Sequence, residues 1–467
     1  MVKGDWVEPP GALMSTRETS SRAASRGSGL VASPANVSFK RYRAYKETGV
    51  KWLGQIPEHW ALSRLSEVTS LVNGFPFDSE HFVQGCEGVP LVRIRDLNAG
   101  NSEVSYIGTV VEDAWIDSGD IIIGMDGDFN VARWRGTRAL LNQRLCCLRP
   151  KSHVDARFIA YVLPGPLNAI NEITYSTTVK HLASGDVKRM LIGVPPESEQ
   201  RAIAEFLDRE TTRIDSLIAK KERLIGLLHE KRTALITQAV TKGLDPTVPM
   251  KDSGVEWLGG IPAHWEVERL KWAAHMMSGH TPDKKVESYW QGGNIPWVSL
   301  ADTGQLREVD FIATTAVMTT SDGIAHSSAH VLPEGTVVFS RDATIGLSAI
   351  TRAGMAVSQH FIGWVCGPRL WPEYLLFVLR SMTQELERLT MGATVRTIGM
   401  PDVRSLVTPI PPLGEQKEII CEVLYRRAHI DALIAKVRNA IERLTELRTA
   451  LISAAVTGKI DVRNEAV

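Results

Sequence analysis

Residues 195 to 245 and residues 411 to 461 are two versions of one segment, and this internal repeat limits the possible folds more than any other feature. The first copy opens Pro195-Pro196-Glu197-Ser198-Glu199-Gln200 and closes with Arg232-Thr233-Ala234-Leu235-Ile236, Ala239-Val240-Thr241 and Asp245. The second opens Pro411-Pro412-Leu413-Gly414-Glu415-Gln416 and closes with Arg448-Thr449-Ala450-Leu451-Ile452, Ala455-Val456-Thr457 and Asp461. Aligned without a gap they are identical at roughly 45% of positions, so the chain arose by duplication. Two similar halves imply two similar tasks.

A second repeated piece confirms the unit. Gly49-Val50-Lys51-Trp52-Leu53-Gly54-Gln55-Ile56-Pro57-Glu58-His59-Trp60 is echoed by Gly254-Val255-Glu256-Trp257-Leu258-Gly259-Gly260-Ile261-Pro262-Ala263-His264-Trp265. Each half therefore reads as a short Trp-rich lead-in, a long variable region and the Pro-Pro-x-x-Glu-Gln segment. The expected division is an extension over 1–37, a first domain over 38–194, a first long helix over 195–245, a second domain over 246–410, a second long helix over 411–461 and a tail over 462–467.

The repeated segments are helical by pattern. Apolar residues recur by threes and fours at Ile203, Leu207, Ile214, Leu217, Leu224, Leu228 and Leu235, and again at Ile419, Val423, Ile430, Leu433, Val437, Leu444, Leu447 and Leu451. Charged residues such as Lys220, Glu222, Arg438 and Glu442 lie between them. Pro-Pro disfavours helix before each segment, and Gly243 and Gly458 can supply left-handed caps after it. At about 40 residues each helix is about 60 Å long. A lone helix of this kind leaves its apolar stripe exposed, so the two copies are expected to pair, antiparallel about a pseudo-two-fold axis. The C-terminal end then falls beside the lead-in at Gly49 to Trp60, which makes the repeat circular.

With 467 residues, 44% hydrophobic and 23% charged, the chain has room for two or three ordinary cores. No apolar run approaches the roughly 18 residues of a membrane span, and a cytoplasmic protein is expected. Cys86, Cys146, Cys147, Cys366 and Cys421 show no Cys-x-x-Cys spacing, which argues for reduced, mostly buried thiols rather than a disulfide framework or zinc site. Residues 1–37, rich in Ser, Arg, Gly and Ala, read as a disordered extension with no assigned role.

The variable regions, 61–194 and 266–410, carry short β-rich runs at Val89 to Ile94, Asp120 to Gly124, Asn294 to Leu300 and Thr336 to Ser340, with helices expected at Asp155 to Leu163 and Pro372 to Glu387. Each is an α+β domain of about 140 residues. Their register can be followed through Val89-Pro90-Leu91-Val92 with Ile295-Pro296-Trp297-Val298, and Asn142-Gln143-Arg144 with Ser358-Gln359-His360. It continues through Thr178-Val179-Lys180-His181-Leu182 with Thr394-Val395-Arg396-Thr397-Ile398. The formal net charge is zero, yet Phe129 to Val154 and Ala343 to Pro372 contain no acid. Basic faces are therefore expected in both domains.

The Glu-Gln opening, the Ile-Asp-x-Leu-Ile-Ala-Lys core at Ile214 to Lys220 and Ile430 to Lys436, and the Arg-Thr-Ala-Leu-Ile and Ala-Val-Thr endings resemble the specificity subunit of type I restriction–modification enzymes. The likeness covers about residues 40 to 461. It implies a non-catalytic DNA-reading subunit whose two target-recognition domains each read one half of a split, asymmetric site. It further implies helices that space the domains and dock two modification subunits, which bind S-adenosylmethionine, with motor-nuclease subunits as further partners. No cofactor is expected on this chain.

Base reading in the major groove uses Arg for guanine, Asn or Gln for adenine, and small or aromatic groups for the thymine methyl. On that basis the candidates in the first domain are Gly74, Phe75 and Phe77, Arg93, Arg95, Asn130, Arg133, Trp134, Arg135, Lys180 and His181. In the second they are Gly279, His280, Trp297, Ser299, Arg341, Thr344, Arg396 and Thr397.

The sequence also bears on catalysis. Pro401-Asp402 with Glu415-Gln416-Lys417 matches a Pro-Asp, Glu-x-Lys nuclease pattern, but Glu415 opens a helix and the sister copy reads Glu199-Gln200-Arg201. Val194-Pro195-Pro196-Glu197 and Ile410-Pro411-Pro412-Leu413 lack the Asn or Asp and the aromatic that amino-group methylation needs. No glycine-rich nucleotide loop is present. The remaining alternative is a duplicated coiled-coil scaffold that binds only proteins.

Overall fold

Pro195-Pro196 and Pro411-Pro412 each release the chain into a long helix, Glu197–Lys242 and Leu413–Val456. Each is followed by a glycine of positive φ, Gly243 at 76° and Gly458 at 71°. The computed structural model describes residues 39–85, 87–97, 99–173, 180–391 and 396–465. The expected extension over 1–37, Cys86, and the pairs Thr178-Val179 and Thr394-Val395 lie outside the described residues.

The chain divides into two compact units, one holding the described residues up to Asp208 and those from Thr449 onward, the other Arg209–Arg448. In the first, the lead-in forms a hairpin of Tyr45–Glu47 with Gln55–Pro57. Ala61–Arg64 pairs with Leu191–Val194, closing the variable region at its neck. Between them lie a four-stranded sheet ordered Val131–Arg133, Ile121–Gly124, Leu145–Pro150, Thr69–Asn73 and a five-stranded sheet that includes Val89–Val92 and Ala139–Leu141, paired in parallel. Ile121–Gly124 is buried along its whole length, which explains its unbroken apolar run. Helices Ala156–Val162, Pro164–Ile173 and Ser184–Arg189 complete the α+β domain. Asp155 caps the first of these by accepting from Arg157 N at 2.8 Å.

The second unit repeats this plan. Met250–Asp252 pairs with Gly260–Pro262, and Glu266–Arg269 with Val407–Ile410. Ile295–Val298 and Ala356–Val357 are again parallel, and Val337–Ser340 is fully buried. Pro372–Ser381 and Thr383–Arg388 are two helices where one was expected.

The two lead-ins are anchored alike. Glu199 accepts from Trp60 Nε1 at 2.9 Å, His59 Nε2 at 2.8 Å and the Tyr42 hydroxyl at 2.6 Å. Glu415 accepts from Trp265 Nε1 at 3.0 Å and His264 Nε2 at 2.8 Å. The adjoining Gln200 and Gln416 donate to Pro195 O and Pro411 O at 2.9 and 2.8 Å. Glu-Gln is thus a clamp joining helix start to lead-in, a larger role than the dipole alone would give it. Burial, then the hydrogen bond to Glu199, pushes the Tyr42 hydroxyl well above its ordinary range.

In the first unit the C-terminal segment closes the repeat. Asp461 N donates to Lys40 O at 2.8 Å, and the Tyr45 hydroxyl to Gly458 O at 3.1 Å. A Cβ on Gly458 would stand 2.2 Å from Pro57 Cδ, so glycine is required there for close approach as well as for φ. The expected circular repeat is present.

In the second unit the helices run antiparallel, held by Arg232 Nη1 to Asp431 Oδ1 at 2.6 Å and Arg448 Nε to Asp215 Oδ1 at 2.9 Å. Ile214 and Ile430 are buried, and Leu228, Leu235, Val437, Leu444 and Leu447 half-buried. Other expected seam residues serve elsewhere. Ile419 and Val423 join the core of the second domain with Trp265 and Tyr374, while Ile203, Leu207 and Leu451 are buried in the first unit. Leu217, Leu224 and Leu433 are exposed, because a two-helix pair covers only one stripe of each helix and Leu217 and Leu224 occupy a neighbouring one. Ile434, which the pattern did not single out, is buried instead. Cys146 and Cys147 are core residues, with the Cys146 thiol pushed up to about 12 by burial, whereas Cys421 is exposed.

Candidate nucleic-acid interface

In each domain, backbone hydrogen bonds bring four segments together. In the first, Gly74 N donates to Leu145 O and Phe75 N to Leu141 O, both at 2.9 Å, tying the 74–77 loop to the 142–144 loop. Leu182 N donates to Met125 O at 2.7 Å and Gly127 N to Lys180 O at 3.0 Å, adding the 125–130 and 180–182 segments. In the second domain the same bonds run from Gly279 N to Phe361 O at 3.3 Å, His280 N to Val357 O at 3.0 Å, Ile398 N to Arg341 O and Ala343 N to Arg396 O, both 2.9 Å. A Cβ on Gly74 would lie 1.8 Å from Asn142 O, and one on Gly279 2.1 Å from Ser358 O. These glycines are required by the close approach of the neighbouring backbone.

The divergent side chains hang on this common frame. Asp126 accepts from His181 Nδ1 at 2.7 Å and pairs with Arg144 at 3.2 Å. Asp342 accepts from His360 Nδ1 at 2.8 Å and from the Thr397 hydroxyl, with Arg341 Nε at 3.5 Å. Ala343 has φ of 59° where its counterpart Gly127 has 76°, so the second loop keeps a left-handed residue without glycine.

Several expected reading residues are structural. Phe77 is buried with Leu91, Tyr106 and Leu140. Trp134 is buried, its Nε1 donating to Thr137 O at 2.8 Å. Trp297 is buried in its strand and donates to His280 O at 3.2 Å, bracing that loop. Ser299 caps a short 3-10 helix, its hydroxyl accepting from Ala301 N at 3.3 Å. Arg93 is tied to Asp96 at 3.2 Å and Glu103 at 3.4 Å, and Lys180 Nζ donates to Asn171 O at 2.7 Å. In each case a large or polar side chain found its partner inside the domain.

The groups turned outward are fewer. Arg95, Asn130, Arg133, Arg135 and His181 are exposed in the first domain, as are His280 and Arg396 in the second. Phe75 is exposed beside Phe77, and Thr344 and Thr397 are half-buried. Arg95, Arg133, Arg135 and Arg396 carry no ion pair among the described residues. The acid-free windows are less basic than they read. Arg138 pairs with Asp117 at 3.6 Å, Arg149 with Asp120 at 3.4 Å, and Arg369 with Glu266 at 2.7 Å, all acids from outside those windows. Asp126, Arg144, Asp342 and His360 were not singled out. Their signal was the alignment of 142–144 with 358–360, which points at the loop but not at the acid beneath it.

Two residues of the nuclease pattern are engaged otherwise: Glu415 clamps Trp265, and Lys417 Nζ lies 4.5 Å from the centre of the Trp371 ring. Among the described residues no group of three or more His, Cys, Asp and Glu is arranged to hold a metal, and no helix is long and apolar enough to cross a membrane.

The duplicated architecture has counterparts among known proteins. A family model described as type I restriction modification DNA specificity domain matches twice, at residues 57–225 and 262–443. The EcoBI type I restriction enzyme specificity subunit of Escherichia coli is 30% identical over 438 residues, 89% of each chain. The EcoKI specificity subunit of E. coli strain K12 is 23% identical over 87% of this chain and 90% of its own. Among solved structures, one on complex assembly and conformational transition of the type I R-M system superposes with a TM-score of 0.65 at 19% identity, covering 86% of this chain and 98% of that one. The HsdS subunit from Thermoanaerobacter tengcongensis gives 0.52 at 18% identity, covering 89% and 100%. Both share the fold. With most of its length matched by the family model and a relative at 30% identity along nearly the whole chain, this protein belongs to the type I restriction–modification DNA specificity subunit family.

Proposed function

We propose that each recognition domain reads one half of a bipartite, asymmetric DNA site, and that the chain contributes recognition but no catalysis to a methylating complex. The observation that carries this reading is the pair of loop clusters, built on the same backbone hydrogen bonds yet carrying different side chains. A duplicated frame with exchanged contact groups is what two readers of unlike sequences require, since base contacts specify while the scaffold positions. The free guanidinium groups of Arg95, Arg133, Arg135 and Arg396 supply charge for phosphate or guanine.

The paired helices space the two readers and dock two modification subunits, which would hold S-adenosylmethionine and methylate adenine in the cytoplasm; motor-nuclease subunits would join the same assembly. Supporting the docking, Leu217 and Leu433 occupy the same place in the two repeats and are exposed to nearly the same degree, 38% and 37%. Two equivalent apolar positions suit two identical partners.

Footprinting of the subunit assembled with its modification subunits tests the proposal. Two protected blocks separated by an unprotected gap are expected. A single block, or protection independent of sequence, would overturn it.

A further inference from the structure

The two loop clusters share one acid and exchange everything around it. Asp126 and Asp342 occupy the same position in the duplicated frame, each largely buried. Around Asp126 stand an arginine at 144 and a histidine at 181. Around Asp342 stand an arginine at 341 and a histidine at 360, with Thr397 where the first domain has His181. Each cluster therefore holds one carboxylate, one guanidinium and one imidazole, but the arginine and histidine have moved to different loops.

This permutation does not serve to hold the loops together, because the backbone bonds already do so: Leu182 N to Met125 O and Ile398 N to Arg341 O are present in both domains. What the carboxylate adds is orientation. An imidazole bound through Nδ1 to an acid turns its Nε2 away from it, and a guanidinium held by one edge keeps its other N–H groups free. His181 and Arg144 are both more than half exposed, so in the first domain those free edges face solvent. In the second domain Arg341 Nε is buried 3.5 Å from Asp342 Oδ1 and makes no hydrogen bond, so the carboxylate holds that edge of the guanidinium through charge. A bare carboxylate facing DNA would repel phosphate, whereas one paired with an arginine and a histidine does not.

We infer that Asp126 and Asp342 are positioning residues that set which bases each half reads: each fixes its arginine and histidine on different loops, so the same chemistry is presented from different places. This rests on the DNA-reading function proposed above. It differs from it in locating discrimination on two acids that do not themselves touch DNA.

The test uses the full chain assembled with modification subunits, S-adenosylmethionine and a DNA library randomised around the methylated site. Methylated products are sequenced for the wild type, Asp126→Asn and Asp342→Asn. Asp126→Asn is expected to lower discrimination roughly tenfold at one or two positions of one half-site only, and Asp342→Asn to do so in the other half-site. Each variant thereby carries an internal control, since a merely structural defect would lower methylation without changing base preference. Thr397→Val, which removes a single donor to Asp342 and spares the carboxylate, is expected to relax the same half-site as Asp342→Asn to a smaller degree. Unchanged preferences in all three variants beside a sharp wild-type site would overturn the inference alone, as would equal relaxation of both half-sites. A wild type with no two-block preference would overturn the DNA-reading function and this inference with it.

Discussion

Arg232 donates to Asp431 across the paired helices at 2.6 Å, and the same two positions of the repeat meet again as Arg448 and Asp215 at 2.9 Å. The Ile-Asp-x-Leu-Ile-Ala-Lys and Arg-Thr-Ala-Leu-Ile motifs thus find each other: the aspartate of one belongs to the arginine of the other, in the opposite copy. Two contacts that are images of one another fix an antiparallel register, since any slip along the helices breaks both. All four side chains are part-exposed, so each pair contributes only about 0.2–1 kcal/mol and sets register rather than driving association. The driving term is burial of Ile214, Ile430 and their neighbours.

Exchanging the charges tests that role. Arg232→Asp alone places two acids together and is expected to destabilise the folded chain by about 1 kcal/mol, and adding Asp431→Arg is expected to recover most of the loss. Urea unfolding of the single and double variants measures it.

The Glu clamp is worth more, because its partners are buried. Glu199→Leu leaves Trp60 Nε1 and the Tyr42 hydroxyl without their acceptor, an expected loss of about 1–3 kcal/mol per stranded group. Glu199→Gln keeps an acceptor oxygen and is expected to lose less. Tryptophan fluorescence during denaturation reports the difference, since Trp60 sits at the clamp.

Ala343 holds a left-handed conformation that glycine adopts freely. Ala343→Gly is expected to be neutral to stabilising by about 1 kcal/mol, and Gly127→Ala at the matching position to be destabilising by a similar amount. Thermal denaturation compares them directly. The opposite signs at equivalent positions are the diagnostic.

Exposed arginines without ion pairs should act through phosphate. Substituting Arg95, Arg133 or Arg135 by Ala is expected to weaken DNA binding and to lower the salt-dependence slope by about 1 for each phosphate left without its cation. Trp134→Phe, which alters a core residue beside them, is expected to leave that slope unchanged. Binding titrations across a range of salt concentrations make the comparison.

The repeat and the helix pair follow from periodicities that recur over many residues and were legible in the sequence, whereas the order of the strands within their sheets was not. Val89–Val92 and Ile295–Val298 form strands in matching places, as their alignment implied. The reading surface was legible only as a region. Trp134 and Trp297 look like contact aromatics by residue type, but each faces its own domain's core and donates to a nearby carbonyl. Asp126 was invisible because an acid in an acid-rich stretch draws no notice, and Asp342 because it borders an acid-free window that drew attention to its bases, until the loops that enclose each acid are folded. Partners more than fifty residues apart, such as Asp126 and His181, leave no local trace.

If two interchangeable frames carry two different readers, one reader can be exchanged for a copy of the other. Replacing residues 266–410 by a second copy of residues 61–194, and mapping adenine methylation by the assembled complex, tests this in one measurement. The expected product is a site built from two copies of the first half-site in opposite orientations, as antiparallel helices require. A site that keeps the original second half-site, or methylation without any two-block pattern from a complex that assembles normally, would contradict it.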